Sequence, residues 1–236
     1  MKIGEDYPKI EFDLFGLHLV EPNAFIGDVI IFSLALYFYS KTKQLSTNQE
    51  NQFLKNWSRF YLWFGFSFLA GGFGHLLFNY TGVPGKIPSW IIGMFAPYFI
   101  EQAMISINPK VEKRALFSKI SLVKLLVFLA AESILLITVD ISAAPERGLL
   151  LPTISSTLGL LICLGFLGFS YQKSIHPSFK FLWISMFTLI LSAIPQAFKI
   201  NPSQFFDRND ISHVFLLLAL ILYYQTIKNV NSFKLN

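Results

Sequence analysis

Seven long apolar runs divide the chain, and each is close to the length needed to cross a bilayer. A transmembrane helix needs roughly 20 mostly apolar residues at a rise of about 1.5 Å per residue. The runs occupy residues 24–39, 57–78, 90–107, 117–139, 149–171, 181–198 and 211–227. They predict an all-α integral membrane bundle of seven transmembrane helices in one domain, residues 1–236, with a short polar extracytoplasmic segment at residues 1–23.

Composition supports the membrane and excludes several soluble classes of protein. Hydrophobic residues make up 53% of the chain and charged residues 14%, whereas soluble domains carry about 25% charged residues. A globule of this size cannot bury so much apolar surface. We therefore exclude a cytosolic enzyme, a disulfide-stapled secreted module and, despite the net charge of +5, a nucleic-acid binder. The single cysteine, Cys163, allows no intrachain disulfide.

The basic residues indicate which way the bundle faces. Twelve of the 19 lysines and arginines lie in segments assigned to one face and six in segments assigned to the other, while Lys124 lies inside the fourth run. Lysine and arginine accumulate on the cytoplasmic side of membrane proteins. The count therefore predicts that the amino terminus lies outside and the carboxyl terminus in the cytoplasm.

Ionisable side chains at membrane depth are the second informative feature. Such groups are costly in the bilayer and usually face the bundle interior or a water-filled cavity. Most of them fall in the predicted outer half, namely Asp28, His75, Glu132 and His213. We expect them to surround an outward-opening pocket between helices. Glu101 and Lys124 fall in the inner half, where we expect them to pair with each other.

Two histidines in one layer favour a zinc site. Asp210 and His213 are three residues apart, so they project from the same face of a helix. Together with His75 they make a two-histidine, one-carboxylate set that leaves a position for water, whose pKa zinc would lower toward about 7. The alternative is structural: His75 follows the glycine-rich residues 71–74, which permit close helix packing, and Asn209 or Asp210 caps the helix that carries His213.

A second oxygen-rich group opens the first run and consists of Glu21, Asn23 and Asp28. Carboxylate and amide oxygens suit a hard cation such as Ca²⁺. The same residues also suit a helix amino terminus, where they would cap free backbone N–H groups. Either Asp28 or Glu132 is a candidate proton shuttle for a reaction in the outer pocket.

This arrangement resembles the alkaline ceramidases and the wider CREST superfamily of seven-span membrane hydrolases. The resemblance is carried by Glu21 and Asn23 before the first run, His75 late in the second, and Asn209 four residues before His213. It implies a zinc ion held by His75 and His213, an amide cleaved by zinc-bound water, and calcium near Glu21. The chain departs from the family pattern at Asn209, where the family has a histidine. It also departs at Gly71, where the family has a serine, and in residues 79–86, which contain no acid.

The leading functional expectation is a zinc-dependent membrane hydrolase of a lipid-like amide or ester. In it His75, Asp210 and His213 hold the metal, and the outer pocket accepts an acyl chain. Two alternatives remain open: a receptor-like or sensor-like protein that binds a lipid or small ligand without chemistry, and a small-solute transporter. The expected partners are membrane lipids and a lipid-like substrate, with no nucleic acid and no predicted oligomeric state. Residues 209–213 and the opening from Glu21 to Asp28 also resemble bacterial seven-span proteins grouped with the CREST superfamily, and this resemblance implies the bacterial inner membrane.

Overall fold

The computed structural model describes residues 8–47 and 51–233, and helices dominate it. The α-helices are α1 (Pro22–Thr47), α2 (Gln52–Leu76), α3 (Phe78–Thr81), α4 (Ile87–Gly93), α5 (Phe95–Ser106), α6 (Val111–Thr138), α7 (Pro145–Leu160), α8 (Gly168–Ser174), α9 (Lys180–Ala197) and α10 (Arg208–Ile227). A π-helical segment, Leu161–Leu167, joins α7 to α8. Short 3-10 turns lie at Val83–Lys86, Pro177–Phe179 and Val230–Ser232. Lys2 and Lys234, which entered the charge comparison, lie outside the described residues.

Five of the helical segments are long and apolar enough to cross a membrane: Pro22–Ser46, Val111–Thr138, Pro145–Ser174, Pro177–Ala197 and Arg208–Ile227. They coincide with the first, fourth, fifth, sixth and seventh predicted runs. Side chains on α6 such as Val123, Val127 and Ile134 are more than half exposed, as expected for a helix that faces lipid. The prediction of an all-α membrane protein is confirmed at this level.

The second and third predicted runs have a different form. Helix α2 has the length of a span, at 25 residues, but it is not among the five apolar segments. The third run is split into α4 and α5, which meet at Met94. Pro97 has no N–H to donate to the Gly93 carbonyl four residues earlier, and this missing bond explains the interruption.

A β-hairpin precedes α1, in the segment predicted only to be polar. Strand β1 (Glu11–Leu14) pairs antiparallel with β2 (Leu17–Val20). The two turn residues, Phe15 and Gly16, have φ angles of 52° and 78°, as a type I′ turn requires. The hairpin docks on α3, where the His18 backbone N–H donates to Tyr80 Oη at 2.8 Å. We call this end of the bundle, where α1, α4 and α10 begin and α2 ends, the hairpin end.

Aromatic packing holds α1, α2 and α10 together towards the opposite end. Trp57 of α2 is fully buried and lies edge-on to Phe60 at 5.3 Å between ring centroids. The same indole lies 5.7 Å from the ring of Tyr223 on α10, and Phe38 of α1 stacks on Tyr224 at 4.7 Å. Buried aromatic pairs in such offset and tilted arrangements contribute beyond their buried area.

Small residues near the end of α2 let neighbouring segments approach closely. A methyl group at Gly74 would lie 2.8 Å from the carbonyl oxygen of Gly85, in the turn before α4. A methyl group at Gly72 would lie 3.0 Å from the Cβ atom of Asp28 on α1. These glycines therefore set how closely α1 and the turn before α4 approach α2 beside the polar residues of the hairpin end.

We predict that Gly74→Ala destabilises the protein by about 1–3 kcal/mol, because the added methyl group would clash with the backbone carbonyl of Gly85. Thermal and denaturant unfolding in detergent would measure the loss. Gly93→Ala is the matched control, since its methyl group would lie 3.8 Å from Ser67, an ordinary contact. An unchanged midpoint for Gly74→Ala would contradict this close packing.

Candidate functional site

The polar side chains of the hairpin end form one buried group, which we call the hairpin-end cluster. The chain segment before β1, the start of α1, the end of α2, the turn before α4 and the start of α10 all contribute to it. Its members are Lys9, Glu21, Asn23, Asp28, His75, Lys86, Asp207, Asp210 and His213. The sequence-predicted residues of the outer layer, apart from Glu132, therefore lie at the same end of the bundle.

Glu21 is the central member of the cluster and is 2% exposed. Its Oε1 lies 2.5 Å from the ammonium of Lys9, and its Oε2 lies 2.8 Å from Nδ1 of His75. Burial by itself would raise the pKa of Glu21, but the contacts with His75 and Lys9 outweigh it and lower the pKa from 4.5 to about 2. The carboxylate is therefore charged at neutral pH and joins α1 to α2 and to the segment before the hairpin.

The start of α10 is tied into the same group. Asp207 is the N-cap of α10, and its Oδ1 accepts from the backbone N–H of Asn209 at 2.6 Å and of Asp210 at 3.2 Å. Asp210 completes a capping box by accepting from the Asp207 backbone N–H at 2.9 Å. The Asn23 amide donates to Asp210 at 2.7 Å, and Lys9 lies 3.6 Å from Asp207.

Asp28 and His213 form another pair within the cluster, which joins α1 to α10. His213 Nε2 lies 3.2 Å from Asp28 Oδ1. An ionised carboxylate only accepts, so Nε2 carries the proton of this contact. Among the described residues, the other ring nitrogen, Nδ1, has no hydrogen-bond partner. It packs against Gly27, where a methyl group would overlap it.

Lys86 reaches the cluster from the turn before α4. Its stem packs beside Gly74, and its ammonium lies 5.8 Å from the centre of the Phe78 ring. Burial lowers the pKa of Lys86, and the charges of Glu21 and Asp28 partly oppose that change. Lys86 therefore supplies positive charge that offsets these two carboxylates.

The three residues expected to hold zinc do not converge as a metal site. His75 contacts Glu21, His213 contacts Asp28, and Asp210 accepts from Asn23 and from the α10 backbone. Across residues 8–47 and 51–233, no group of three or more His, Cys, Asp or Glu side chains is arranged to hold a metal ion. A catalytic zinc needs three protein ligands at about 2.0–2.3 Å, so the residues as arranged do not fit the ion.

The group expected to hold calcium is likewise committed to protein partners. The ammonium of Lys9 lies against Glu21, the Asn23 amide is turned towards Asp210, and Asp28 contacts His213. A Ca²⁺ site needs six to eight oxygen ligands around one point. Glu21, Asn23 and Asp28 instead join neighbouring elements of the fold.

The other ionisable residues predicted at membrane depth lie on α5 and α6. Glu132 on α6 is fully buried, and neither carboxylate oxygen has a partner within the described part of the chain. The expected pair of Glu101 and Lys124 is confirmed as a salt bridge between α5 and α6. Ser121 Oγ donates to the second oxygen of Glu101 at 2.5 Å.

A cavity of about 430 Å³ lies within the bundle, between α2, α4, α5, α7, α9 and α10; we call it the central cavity. Apolar side chains form most of its wall, with hydroxyl groups from Ser67, Ser89, Thr153, Ser156, Thr157 and Ser192. It adjoins the hairpin-end cluster, because the ring of Phe68, a wall residue, lies 6.2 Å from the ring of His213. Ser89, another wall residue, lies beside Asp28, since a methyl group at Gly71 would be 3.2 Å from Ser89 Oγ and 3.8 Å from Asp28 Oδ2.

Sequence reasoning missed Lys9, Lys86 and Asp207. Asp207 had a readable signal, because an acid three residues before Asp210 at the start of an apolar run is the pattern of a capping box. Lys9 and Lys86 had none: they lie in polar connections, and only the hairpin and the turn before α4 direct them inward.

The chain belongs to a family of unknown function, DUF6962, whose profile matches residues 24–232. No curated protein and no solved structure matches this chain. The match begins at Ala24, in the first turn of α1, and extends past the end of α10, so it includes every lining residue of the central cavity.

We predict that Glu21→Gln lowers the free energy of unfolding by about 1–3 kcal/mol at pH 6, because Lys9 and His75 lose a charged partner. The folded-state pKa of Glu21 is lowered, so its contribution is complete above about pH 4.5 and is lost as the pH falls through about 2. Unfolding in detergent at a series of pH values would therefore show the wild type and the variant converging under acid conditions.

Glu112→Gln is the control for this measurement, since Glu112 is an exposed carboxylate in the first turn of α6. It should leave both the stability and its pH dependence nearly unchanged. A constant difference between wild type and Glu21→Gln from pH 6 to pH 2 would contradict the assigned role of the charge.

Proposed function

We propose that this member of the DUF6962 family is a membrane protein that binds one lipid-like molecule in the central cavity, with the polar end of the ligand at the hairpin-end cluster. The observation that carries the proposal is the position of that cavity, which has a mostly apolar wall and adjoins the hairpin-end cluster at Phe68 and Ser89. Its volume of about 430 Å³ falls within the roughly 300–1,000 Å³ typical of small-molecule pockets.

The wall of the cavity suits an amphiphile with an acyl chain. Phe60, Phe64 and Leu216 supply apolar contact deep in the bundle, and hydroxyl groups of α7 provide a few hydrogen bonds. Leu149, Thr153 and Thr157 line the cavity and are also exposed at the surface of α7. A ligand dissolved in the membrane therefore has a route to the cavity along α7.

The polar end supplies both a donor and an acceptor for a head group such as an amide or ester. Ser89 lines the cavity and donates or accepts through its hydroxyl, and the Asp28 carboxylate, which lies near Ser89 but outside the wall, is the acceptor that we assign to the head group. The buried contact with His213 holds Asp28 in place. An amphiphile whose head both donates and accepts hydrogen bonds is therefore the ligand class that this site favours.

The geometry favours binding over hydrolysis, which was the leading expectation. A histidine that acts as a general base needs a free ring nitrogen within reach of water or substrate. The free nitrogen of His213 instead packs against Gly27 and is shielded from solvent. The residues expected to hold zinc do not fit the ion as they are arranged, so the zinc-bound hydroxide of the hydrolase hypothesis has no site among the described residues.

We further propose seven membrane crossings, with α2 as the second and the broken pair of α4 and α5 as the third. The amino terminus then lies outside and the carboxyl terminus in the cytoplasm. Among the described residues, eleven basic side chains belong to the predicted cytoplasmic segments and five to the hairpin end, which supports this orientation. The resemblance to bacterial seven-span proteins supports the bacterial inner membrane as the location.

The binding proposal predicts saturable, one-to-one binding of a single-chain amide such as N-oleoylethanolamine to the delipidated protein. Ser156→Trp should weaken it at least tenfold, because the indole fills the cavity; a tenfold change is about 1.4 kcal/mol. Asp28→Asn should weaken it several-fold by removing the charged acceptor. Native mass spectrometry and equilibrium binding in detergent would measure both effects.

Leu150→Trp is the control, because Leu150 lies on α7 with its side chain 53% exposed and does not line the cavity. Equal binding by Ser156→Trp and wild type would overturn the proposal. Elemental analysis for zinc tests the competing hypothesis of a metal-dependent hydrolase. Near-stoichiometric zinc that is lost in both His75→Ala and His213→Ala would restore the metal-dependent hydrolase.

The orientation predicts opposite labelling of two introduced cysteines in a Cys163→Ala background. Phe15→Cys, at the tip of the hairpin, should react with an impermeant thiol reagent applied to intact cells, because Phe15 is 95% exposed. Gln44→Cys, an exposed position near the far end of α1, should react only after the membrane is opened. The reverse pattern would invert the proposed topology.

A further inference from the structure

A second cavity lies between α5, α6 and the segment formed by α7 and the π-helical turn; we call it the lateral cavity. Its volume is also about 430 Å³, and it shares no lining residue with the central cavity. Apolar residues form most of its wall, among them Ile105, Phe117 and Leu167. The salt bridge of Glu101 and Lys124 lies at its polar end, together with Ser121.

The ion pair at the polar end of the lateral cavity has no net charge, and one N–H donor of Lys124 remains for a ligand. Glu101 accepts from Lys124 through one oxygen and from Ser121 through the other. The ammonium of Lys124 has three N–H donors, and two of them go to Glu101 and to the backbone carbonyl of Ser155. Within the described part of the chain the third has no acceptor, so it can donate to an oxygen of a ligand.

Gly159 makes room for this arrangement. A methyl group at that position on α7 would overlap the Glu101 carboxylate and lie 3.2 Å from the Lys124 ammonium. Any larger residue there would push the ion pair out of its place. The buried charges therefore have a specific recess in α7, and the cavity wall runs directly up to them.

The mouth of the lateral cavity faces the membrane. Three of its lining residues are large, apolar and exposed on the outside of the bundle: Ile120 is 56% exposed, Leu158 is 44% and Ile162 is 51%. Both α6 and Pro145–Ser174 are segments long and apolar enough to span the bilayer, so a gap between them opens to lipid. Ligands of this cavity therefore come from the membrane, which excludes free ions and polar solutes.

From these features we infer that the lateral cavity is a second ligand site, which takes an acyl chain ending in an oxygen acceptor. The chain lies along Phe117, Ile120 and Ile162, and the terminal carbonyl or carboxylate oxygen accepts from Lys124. Because Glu101 neutralises Lys124, the site accepts a neutral ester carbonyl as well as a fatty-acid carboxylate. Ligand binding in the lateral cavity does not depend on the proposed binding in the central cavity, because the two cavities share no lining residue.

The inference can be tested by photo-crosslinking in nanodiscs with two probes, a diazirine-bearing palmitate and a phosphatidylcholine with a diazirine-bearing acyl chain. We expect adducts that map to residues 117–124 and 158–167 and that decrease when unlabelled competitor of the same class is added. Adducts from palmitate alone assign the site to free fatty acids. Adducts from both probes assign it to acyl chains with ester or acid oxygens in general.

Two variants and one control sharpen the result. Ile120→Trp should abolish the mapped adducts by filling the mouth of the cavity. The double variant Glu101→Gln with Lys124→Gln should reduce them at least fivefold, since it removes the charged donor without leaving a lone buried charge. Val123→Trp should leave them unchanged, because Val123 is exposed on the same helix but does not line the cavity.

Adducts that spread over the lipid-facing surface, resist competition and persist in Ile120→Trp would overturn the inference. The outcome is independent of the central site, because Ser156→Trp should bind palmitate in the lateral cavity as the wild type does. A wild-type pattern in the double variant would likewise reject Lys124 as the donor to the ligand.

Discussion

The fold at the hairpin end depends on one buried carboxylate. Glu21 holds Lys9 with one oxygen and His75 with the other, and Lys9 reaches on to Asp207 at the start of α10. A charge that is 2% exposed is stable only when such partners replace the water it has lost. The carboxylate therefore fixes the positions of α1, α2 and α10 relative to one another and, through them, the polar end of the central cavity.

Because the carboxylates and imidazoles of the hairpin-end cluster pair with other protein groups, the cluster suits the side of a binding site better than a catalytic centre. Each carboxylate or imidazole of the layer that was a candidate metal ligand is used by another protein group, as in the contact of Asp28 with His213. A reaction centre needs groups left free for substrate, water or metal. Here the free hydrogen-bonding capacity lies beside the cluster, in hydroxyl groups such as Ser89, and that is where a ligand head group would be bound.

Much of the architecture follows from the sequence because apolar run length is a strong signal, whereas local breaks and pairings depend on contacts between distant residues. The five apolar segments matched predicted runs, and the pair of Glu101 and Lys124 was anticipated from their common depth. The break near Met94 could have been predicted from Pro97. The hairpin needed the unusual positive φ of Phe15, and the partners of His75 and His213 needed tertiary structure, so spacing alone grouped these histidines as metal ligands.

The relation between the two cavities bears on the transporter alternative. Their walls adjoin where α5 meets α7, because a methyl group on Gly159 of the lateral cavity would lie 3.3 Å from Pro97, which lines the central cavity. A transport path through this point would need polar groups free to exchange partners. Instead, Glu101 and Lys124 close it with a neutral pair that fills the recess at Gly159. We therefore propose two separate acyl-chain sites, each open to lipid along α7, in place of a continuous path across the membrane.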